Sequence, residues 1–229
     1  MFKSMTASVM IAILPCLVVA AEPGKETGKP DHEKEPGHEK EAVLFDGKTF
    51  DGWQGDTQNT FRIEQGAIVG GSLKQRVPRN EFLTTEREYG DFELKLKFKV
   101  LGEGANAGVQ IRSRRIPNHH EMIGYQADLG DGWWGSLYDE SRRNKMLATA
   151  DKKLVEQALK RGDWNDYTIR CQGRRIQLWI NDRQTVDYTE ADETIEQLGL
   201  IGLQIHGGPP SEAWYKDIRI RELPQHDKR

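Results

Sequence analysis

From residue 42 onward, hydrophobic and polar positions alternate in short runs that Gly, Asn and Asp separate. The clearest run covers residues 91–100, where Phe, Leu or Val occupies every second position and Glu or Lys stands between them. A period of two is typical of a strand with one buried and one wetted face. Similar runs predict strands at residues 106–114, 122–129, 167–172, 176–180, 199–206 and 214–220.

One short helix is predicted at residues 151–160, where Leu154, Val155, Ala158 and Leu159 recur at helical spacing. A turn is predicted at Asn181-Asp182. Strands and helices do not alternate. The pattern therefore predicts an all-β domain over residues 42–229, built as two packed antiparallel sheets in a β-sandwich of the jelly-roll kind.

The N-terminal segment has a different pattern. Lys3 precedes an apolar run at residues 9–21, which ends in small residues. A membrane span needs about 20 apolar residues, so this run predicts a signal peptide at residues 1–21 and no transmembrane span. The protein is then expected to be exported, periplasmic or extracellular. A lipid anchor on Cys16 is disfavoured, because a proline precedes it where a small residue is expected.

The composition and motifs of the chain argue against several classes of function. Residues 22–41 contain eleven charged and no hydrophobic side chains, which predicts a disordered charged linker. The whole chain has a formal net charge of −3, so no global positive potential is present to hold a nucleic acid. Only Cys171 lies outside the first twenty residues, and it is predicted as a core residue. No P-loop, dinucleotide-binding fingerprint or Gly-x-Ser-x-Gly motif occurs.

Three predicted strands repeat the pattern Gly-apolar-Gln-apolar-ionisable, at residues 108–112, 124–128 and 202–206. Alternate side chains leave opposite faces of a strand. The apolar members are therefore expected in the core: Val109, Ile111, Tyr125, Ala127, Leu203 and Ile205. The other face is expected to form a trough, because its glycines carry no side chain. Its predicted lining is Gln110, Arg112, Gln126, Asp128, Gln204 and His206.

This lining suits a small carbohydrate. Amide groups offer a donor beside an acceptor for neighbouring hydroxyls, and aromatic rings offer an apolar platform for a sugar ring. Trp133 and Trp134 are predicted in a loop at the edge of the trough, whereas Trp214 is either a platform or a core residue. The predicted substrate-binding residues are Gln110, Gln126, Gln204, Tyr138, Trp133, Trp134, Glu140 and Asn106.

The ionisable residues of the trough predict acid–base chemistry. Asp128 and His206 are the candidate acid and base, in an order left open, and Arg112 is the candidate oxyanion stabiliser. These roles require that the three strands be neighbours. The alternative is an inert Arg112–Asp128 ion pair on a lectin-like face. His119-His120-Glu121 lacks zinc-site spacing and is predicted as a loop, and no metal ligand or cofactor is assigned. A calcium site in the Asp-rich residues 128–139 is left open.

Several motifs between residues 43 and 223 together resemble the 3-keto-disaccharide hydrolase domain family. They include Leu44-Phe45-Asp46-Gly47-Lys48, Asn106-Ala107-Gly108-Val109-Gln110-Ile111-Arg112, Trp164-Asn165-Asp166-Tyr167 and Gly202-Leu203-Gln204-Ile205-His206-Gly207-Gly208. The resemblance implies a concanavalin A-like, glucanase-like sandwich and an enzyme acting on sugars oxidised to a ketone at C3. Ala107 departs from the serine common in the family, and residues 114–143 look like a subgroup elaboration.

A ketone at C3 acidifies the C2 proton, so the bond at C1 can break by β-elimination, and water can then add to give net hydrolysis. The reaction needs a base, an acid and a donor to the enolate oxygen, roles predicted for Asp128, His206 and Arg112. A carboxylate close to Arg112 is a weaker base, which favours His206 as the base. A non-catalytic glycan-binding module and a scaffold domain are the alternative functions.

Overall fold

The computed structural model of the protein describes Met1 and residues 41–224. The predicted signal peptide and all but the last residue of the predicted linker lie outside the described residues, apart from Met1. The described part of the chain forms fifteen strands and one helix. They are β1 (Ala42–Val43), β2 (Trp53–Gln54), β3 (Phe61–Glu64), β4 (Ala67–Ser72), β5 (Glu81–Thr85), β6 (Phe92–Leu101), β7 (Asn106–Arg115), β8 (Met122–Gly130), β9 (Leu137–Glu140), β10 (Lys145–Ala148), α1 (Lys152–Ala158), β11 (Asn165–Gln172), β12 (Arg175–Ile180), β13 (Arg183–Thr189), β14 (Leu200–Ile205) and β15 (Ser211–Glu222).

The strands form two antiparallel sheets, which confirms the predicted β-sandwich with one short helix. The outer sheet has the order β13-β12-β11-β6-β15-β4-β3, with β1 also pairing with β15. The second sheet, here the site sheet, has the order β10-β9-β8-β7-β14-β5-β2. Its three central strands, β8, β7 and β14, are the three that carry the repeated pattern. The single helix of residues 41–224, seven residues long, is too short to cross a membrane.

Local sequence signals explain the element boundaries. Asn181 and Asp182 have φ values of 46° and 63°, the left-handed conformation that a tight hairpin turn between β12 and β13 requires. Asp151 caps α1, because its carboxylate accepts a hydrogen bond of 2.9 Å from the Leu154 backbone N–H. Each predicted strand corresponds to an observed one, and β15 begins three residues before the predicted start.

The hydrophobic core lies between the sheets. Its site-sheet side includes all six residues predicted from the repeated pattern, each fully buried: Val109, Ile111, Tyr125, Ala127, Leu203 and Ile205. Cys171 is buried in the same core, as predicted. Complete burial of such an apolar side chain contributes about 1.5–3 kcal/mol, so the apolar half of the pattern specifies which face of β7, β8 and β14 turns inward.

A β-bulge interrupts β7 after Ile111. The pairing with β8 shifts between Ile111 and Arg114, and Arg112 has a left-handed φ of 47°. Gly199 permits this course, because a Cβ atom there would lie 2.6 Å from the Arg112 carbonyl carbon. The bulge inserts an extra residue, so Arg112 leaves the polar face and Ser113 takes its place there.

Beyond the bulge, the β7–β8 hairpin bends across the polar face of the site sheet. We call residues 113–122 the flap. Arg115 Nη2 donates to the Phe82 carbonyl oxygen at 3.0 Å, and Asn80 Nδ2 donates to Glu121 Oε1 at 3.0 Å. The flap therefore covers the polar side of β5, next to β14.

Candidate functional site

The polar face of the site sheet places most of the predicted residues in register. Across β8, β7 and β14, one row contains Gln126, Gln110 and Gly202. The next row contains Asp128, Gly108 and Gln204. In a third row the His206 backbone N–H donates to the Asn106 carbonyl oxygen at 3.0 Å. The three strands are thus neighbours, as the predicted acid–base arrangement requires.

Asp128 and Gln204 face each other across a glycine. Gly108 stands between them on β7, and neighbouring strands lie about 4.8 Å apart, so their backbones are about 10 Å apart. His206 follows β14 two residues after Gln204, and Asn106 precedes Gly108 by two residues. Polar and ionisable groups therefore surround the Gly108 end of the face on two sides.

The glycines do not leave the continuous trough that was predicted. A Cβ atom on Gly108 would lie 2.8 Å from Gln126 Cδ, and one on Gly202 would lie 3.0 Å from Met122 Sδ. The space above these glycines is therefore filled by neighbouring side chains of the site sheet and the flap. The role of the glycines is to admit Gln126 and Met122.

Two of the three predicted sugar-binding glutamines are engaged inside the protein. Ser113 Oγ donates to Gln110 Oε1 at 2.6 Å, and Gln110 Nε2 donates to Gln126 Oε1 at 2.8 Å. Gln126 Nε2 in turn donates to Asp128 Oδ1 at 2.7 Å. This hydrogen-bond chain, from Ser113 to Asp128, runs across β7 and β8. Gln110 and Gln126 are consequently neighbours of the site that act on Asp128, not amides displayed to a ligand.

Asp128 is the most strongly perturbed acid of the polar face. Only 6% of the residue is exposed, and burial raises the pKa of its carboxyl to about 7, against the opposing effect of the Gln126 hydrogen bond. The negative charge of Glu140 adds to the rise. The pKa of Glu140 is also raised to about 7, chiefly by burial and then by the charge of Glu121. Both carboxyls therefore change protonation near neutral pH, as acid–base catalysis requires.

Gln204 is fully buried, and neither its Oε1 nor its Nε2 has a hydrogen-bond partner among the described residues. Asn106 Oδ1, on the adjacent strand, is likewise buried and has no partner within residues 41–224. A buried amide without partners costs about 1–3 kcal/mol, so such groups usually serve a ligand or an ordered water. The two amides mark the position where an external polar group is most needed.

His206 presents one ring nitrogen for chemistry. Its Nδ1 lies 2.7 Å from the Gly207 carbonyl oxygen. Because a carbonyl oxygen only accepts hydrogen bonds, Nδ1 carries the proton of the neutral ring. Nε2 is then left as the atom that can take up or return a proton.

The structure contradicts both predicted roles of Arg112. Its guanidinium is fully buried and donates to the Gly90 and Gly173 carbonyl oxygens at 2.8 and 2.7 Å, to Gln197 Oε1 at 2.6 Å and to Asp91 Oδ1 at 2.8 Å. It neither faces the site nor pairs with Asp128. The β-bulge is the physical reason, because it reverses the face to which residue 112 points.

The four predicted aromatic residues lie in four different surroundings. Trp133, in the connection between β8 and β9, is 49% exposed at the edge of the site sheet. Trp134 turns inward, where its ring stacks on Phe98 with centroids 6.1 Å apart. Tyr138 lies half-buried on β9, opposite Gln126. Trp214 is on the outer sheet, packed against Trp164 outside the main core, and is not part of the site.

Sequence reasoning missed the contributions of the flap. The bulge turns Ser113 to the polar face, and the bent hairpin brings Glu121 to Asn80 and Met122 to Gly202. The loss of alternation in Arg112-Ser113-Arg114-Arg115 is the one sequence signal for this course. The residues 119–121 form a loop, as predicted. No group of three or more His, Cys, Asp or Glu side chains within residues 41–224 is placed to hold a metal ion.

A 3-keto-disaccharide hydrolase of Bacteroides thetaiotaomicron is 23% identical over 79% of this chain and 78% of its own. A candidate glycosyl hydrolase structure from Parabacteroides distasonis has a TM-score of 0.62 at 20% identity, covering 80% of this chain and 94% of its own. A β-glucanase from Bacillus licheniformis has a TM-score of 0.51 at 11% identity, covering 82% of this chain and 100% of its own, which confirms the glucanase-like sandwich. Residues 40–221 match a family described as the 3-keto-alpha-glucoside-1,2-lyase-like domain, and the chain belongs to that family.

Proposed function

We propose that the protein cleaves glycosides of 3-keto sugars by β-elimination at C1, followed by addition of water. The observation that carries the proposal is the buried Asp128 carboxyl, with its pKa raised to about 7, on the same polar face as the Gln204 amide, which has no hydrogen-bond partner within residues 41–224. The family and the 3-keto-disaccharide hydrolase name of a 23% identical relative support a glycoside hydrolase-like role.

Asp128 is the base in this proposal. A carboxylate with a pKa of about 7 is basic enough to remove a proton that a neighbouring ketone has acidified. The objection that Arg112 would weaken the base no longer applies, because that guanidinium is held elsewhere by Asp91. Oδ2 of Asp128 takes the C2 proton, while Oδ1 accepts the hydrogen bond from Gln126.

Gln204 takes over the role first assigned to Arg112. When the C2 proton leaves, the C2–H electron pair forms the C2–C3 double bond and negative charge develops on the C3 oxygen. The Gln204 Nε2 group, buried and without a partner among the described residues, is available to donate to that oxygen. A donor that is already desolvated and fixed by its strand stabilises the enolate without reorganising.

His206 is the acid for the leaving oxygen. As the enolate collapses, the C2–C3 electron pair moves to form a C1–C2 double bond, the C1–O bond breaks, and a protonated His206 gives its Nε2 proton to the departing oxygen. Water then adds across the C1–C2 double bond, with its oxygen at C1 and a proton at C2. Tyr138, Glu140 and Asn106 hold hydroxyl groups, and Trp133 offers an exposed ring at the edge.

The test is incubation of the protein with a 3-keto-glucoside in deuterium oxide. We expect release of the aglycone and incorporation of deuterium at C2 of the sugar product. Both should be lost in Asp128→Asn. Asp187→Asn is the matched control, because Asp187 pairs with Arg175 on the outer sheet. Saturable binding of unoxidised glycans with no turnover of 3-keto-glucosides would overturn the proposal and favour the glycan-binding module.

The proposal includes action after export, which rests on the apolar run at residues 9–21. N-terminal sequencing of the mature protein tests it. A first residue close to position 22 supports export, whereas an intact N-terminus on protein retained inside the cell contradicts it.

A further inference from the structure

The hydrogen-bond chain from Ser113 to Asp128 has a single direction. Ser113 Oγ donates to Gln110, Gln110 Nε2 donates to Gln126, and Gln126 Nε2 donates to Asp128. The three donor–acceptor distances lie between 2.6 and 2.8 Å. Each donor in the chain thus points along the sheet toward the carboxylate.

An ionised Asp128 requires this direction. A carboxylate only accepts hydrogen bonds, so the Gln126 group facing it must be the amide NH₂. The amide oxygen of Gln126 then faces Gln110, which must present its own NH₂, and the Gln110 oxygen faces the Ser113 hydroxyl. Reversing one amide alone would place two donors or two acceptors together.

The hydrogen-bond chain is buried along its whole length. Gln110 and Ser113 are fully buried, and Gln126 is 3% exposed. The Gln126 side chain also lies against Gly108, where any Cβ atom would collide with it. Neither amide has room to turn toward a ligand, so the chain can influence a reaction only through Asp128.

We propose that Ser113, Gln110 and Gln126 are positioning residues, which hold the ionised Asp128 carboxylate by Oδ1 and so leave Oδ2 as the atom that takes the substrate proton. The bulge at Arg112 places Ser113 at the start of the chain, and the four hydrogen bonds of the Arg112 guanidinium fix the bulge. This proposal rests on the proposed function for the identity of the proton that Asp128 removes.

Groups outside the hydrogen-bond chain also face Asp128, and the substitutions leave their chemistry unchanged. Glu140 and Tyr138 face it from β9, and His206 lies across the sheet beyond β14. Tyr167 interacts with it electrostatically from the outer sheet. The residue opposite on β7 is Gly108, which carries no charge. A change in the pKa of Asp128 on substitution of Gln126 or Ser113 therefore reports on the hydrogen-bond chain.

The experiment compares Gln126→Met and Ser113→Ala with the unaltered protein. Methionine keeps the volume over Gly108 and removes the donor. We expect the pKa of Asp128, followed by carboxyl ¹³C NMR titration of the free protein, to rise by about one pH unit in Gln126→Met. With a 3-keto-glucoside, kcat at pH 7 should fall about fivefold, because the ionised fraction of Asp128 falls by about that factor, and KM should change less than about twofold. Ser113→Ala should shift the pKa of Asp128 and lower kcat in the same directions, but less. Ser113→Thr, which keeps the hydroxyl, should have the pKa and kcat of the unaltered protein.

Ser211→Ala is the matched control, since Ser211 is an equally buried serine on the outer sheet whose hydroxyl donates to Pro209. An unchanged Asp128 pKa in Gln126→Met would overturn the proposal. So would a rise in KM with kcat unchanged, which would mean that Gln126 binds the sugar directly. If the unaltered protein shows no turnover, the proposed function fails, and the titration still decides whether the chain governs Asp128.

Discussion

Arg112 forms its ion pair with Asp91, with Nη2 2.8 Å from Oδ1. Asp91 immediately precedes β6 of the outer sheet, and the Gly173 carbonyl that Arg112 also reaches follows β11. Arg112 itself belongs to β7 of the site sheet. One buried guanidinium therefore links the two sheets, and its function is structural.

Replacing Arg112 with methionine is expected to lower the free energy of unfolding by about 3 kcal/mol or more, because a buried charge pair loses one member. Urea unfolding measures this. Arg114→Met is the control, since the Arg114 side chain is 64% exposed and its loss should change stability by less than about 0.5 kcal/mol. Equal stability of the two variants would contradict the structural role.

Asp128→Asn is expected to stabilise the protein at high pH. Folding raises the pKa of Asp128 from an ordinary value near 4 to about 7, so the native state binds more protons between these values and loses stability as the pH rises through them. Asparagine resembles the protonated acid at every pH. We expect the variant to be more stable at pH 8 by at most about 4 kcal/mol, with no gain at pH 4. Thermal unfolding at both pH values, with Asp187→Asn as control, checks the difference.

The rate of C2 deuterium exchange is expected to rise with pH through about 7, because the proposed base must be ionised. Asp128 and Glu140 influence each other, so the measured midpoint belongs to the pair. Glu140→Gln removes that repulsion and should move the midpoint to lower pH. A pH profile that is flat from pH 5 to 8 would exclude Asp128 as the base.

Gln204→Met should separate stability from function. The variant removes a buried amide that has no partner among the described residues, which is expected to leave stability unchanged or raise it by about 1–3 kcal/mol. The same change removes the proposed enolate donor, so kcat should fall about 100-fold. Paired measurements of unfolding and turnover test both parts, and full activity in the variant would exclude the role.

Substitution of the two tryptophans of the β8–β9 connection should affect two different properties, stability for Trp134 and sugar binding for Trp133. Trp134 packs on Phe98, so Trp134→Ala is expected to cost about 3 kcal/mol of stability. Trp133 is 49% exposed, and Trp133→Ala should leave the melting temperature unchanged while weakening sugar binding. Calorimetric unfolding and substrate titration distinguish them, and unchanged affinity in Trp133→Ala would remove that ring from the site.

Alternation along the chain was sufficient to predict the sandwich and its core. Val109, Tyr125 and Leu203 are buried where period two places them, because one register satisfies every apolar residue of these strands. The position of Arg112 was not predictable in this way. It depends on a bulge, and the bulge depends on the close approach of Gly199, which is 87 residues away in sequence and meets Arg112 only after folding.

The candidate site was likewise predictable only in part. Asp128 and Gln204 share one face, as parity predicts for neighbouring strands, and the His206 backbone continues the same register beyond β14. Whether a glutamine binds a ligand or another glutamine depends on cross-strand register, and a single sequence does not specify register. Gln110 opposes Gln126 and the two form a hydrogen bond, whereas Gln204 opposes a glycine and its amide has no partner in the described part of the chain.

The flap limits the shape of molecule that the site can receive. Arg115 and Met122 lie over β5 and β14, so a long polymer laid across the whole width of the sheet would collide with them. The exposed ring of Trp133 lies toward the opposite edge of the sheet, after β8 and before β9. For the proposed function, the flap therefore favours a short saccharide, or the terminal unit of a longer one, over a polymer that lies across the whole sheet.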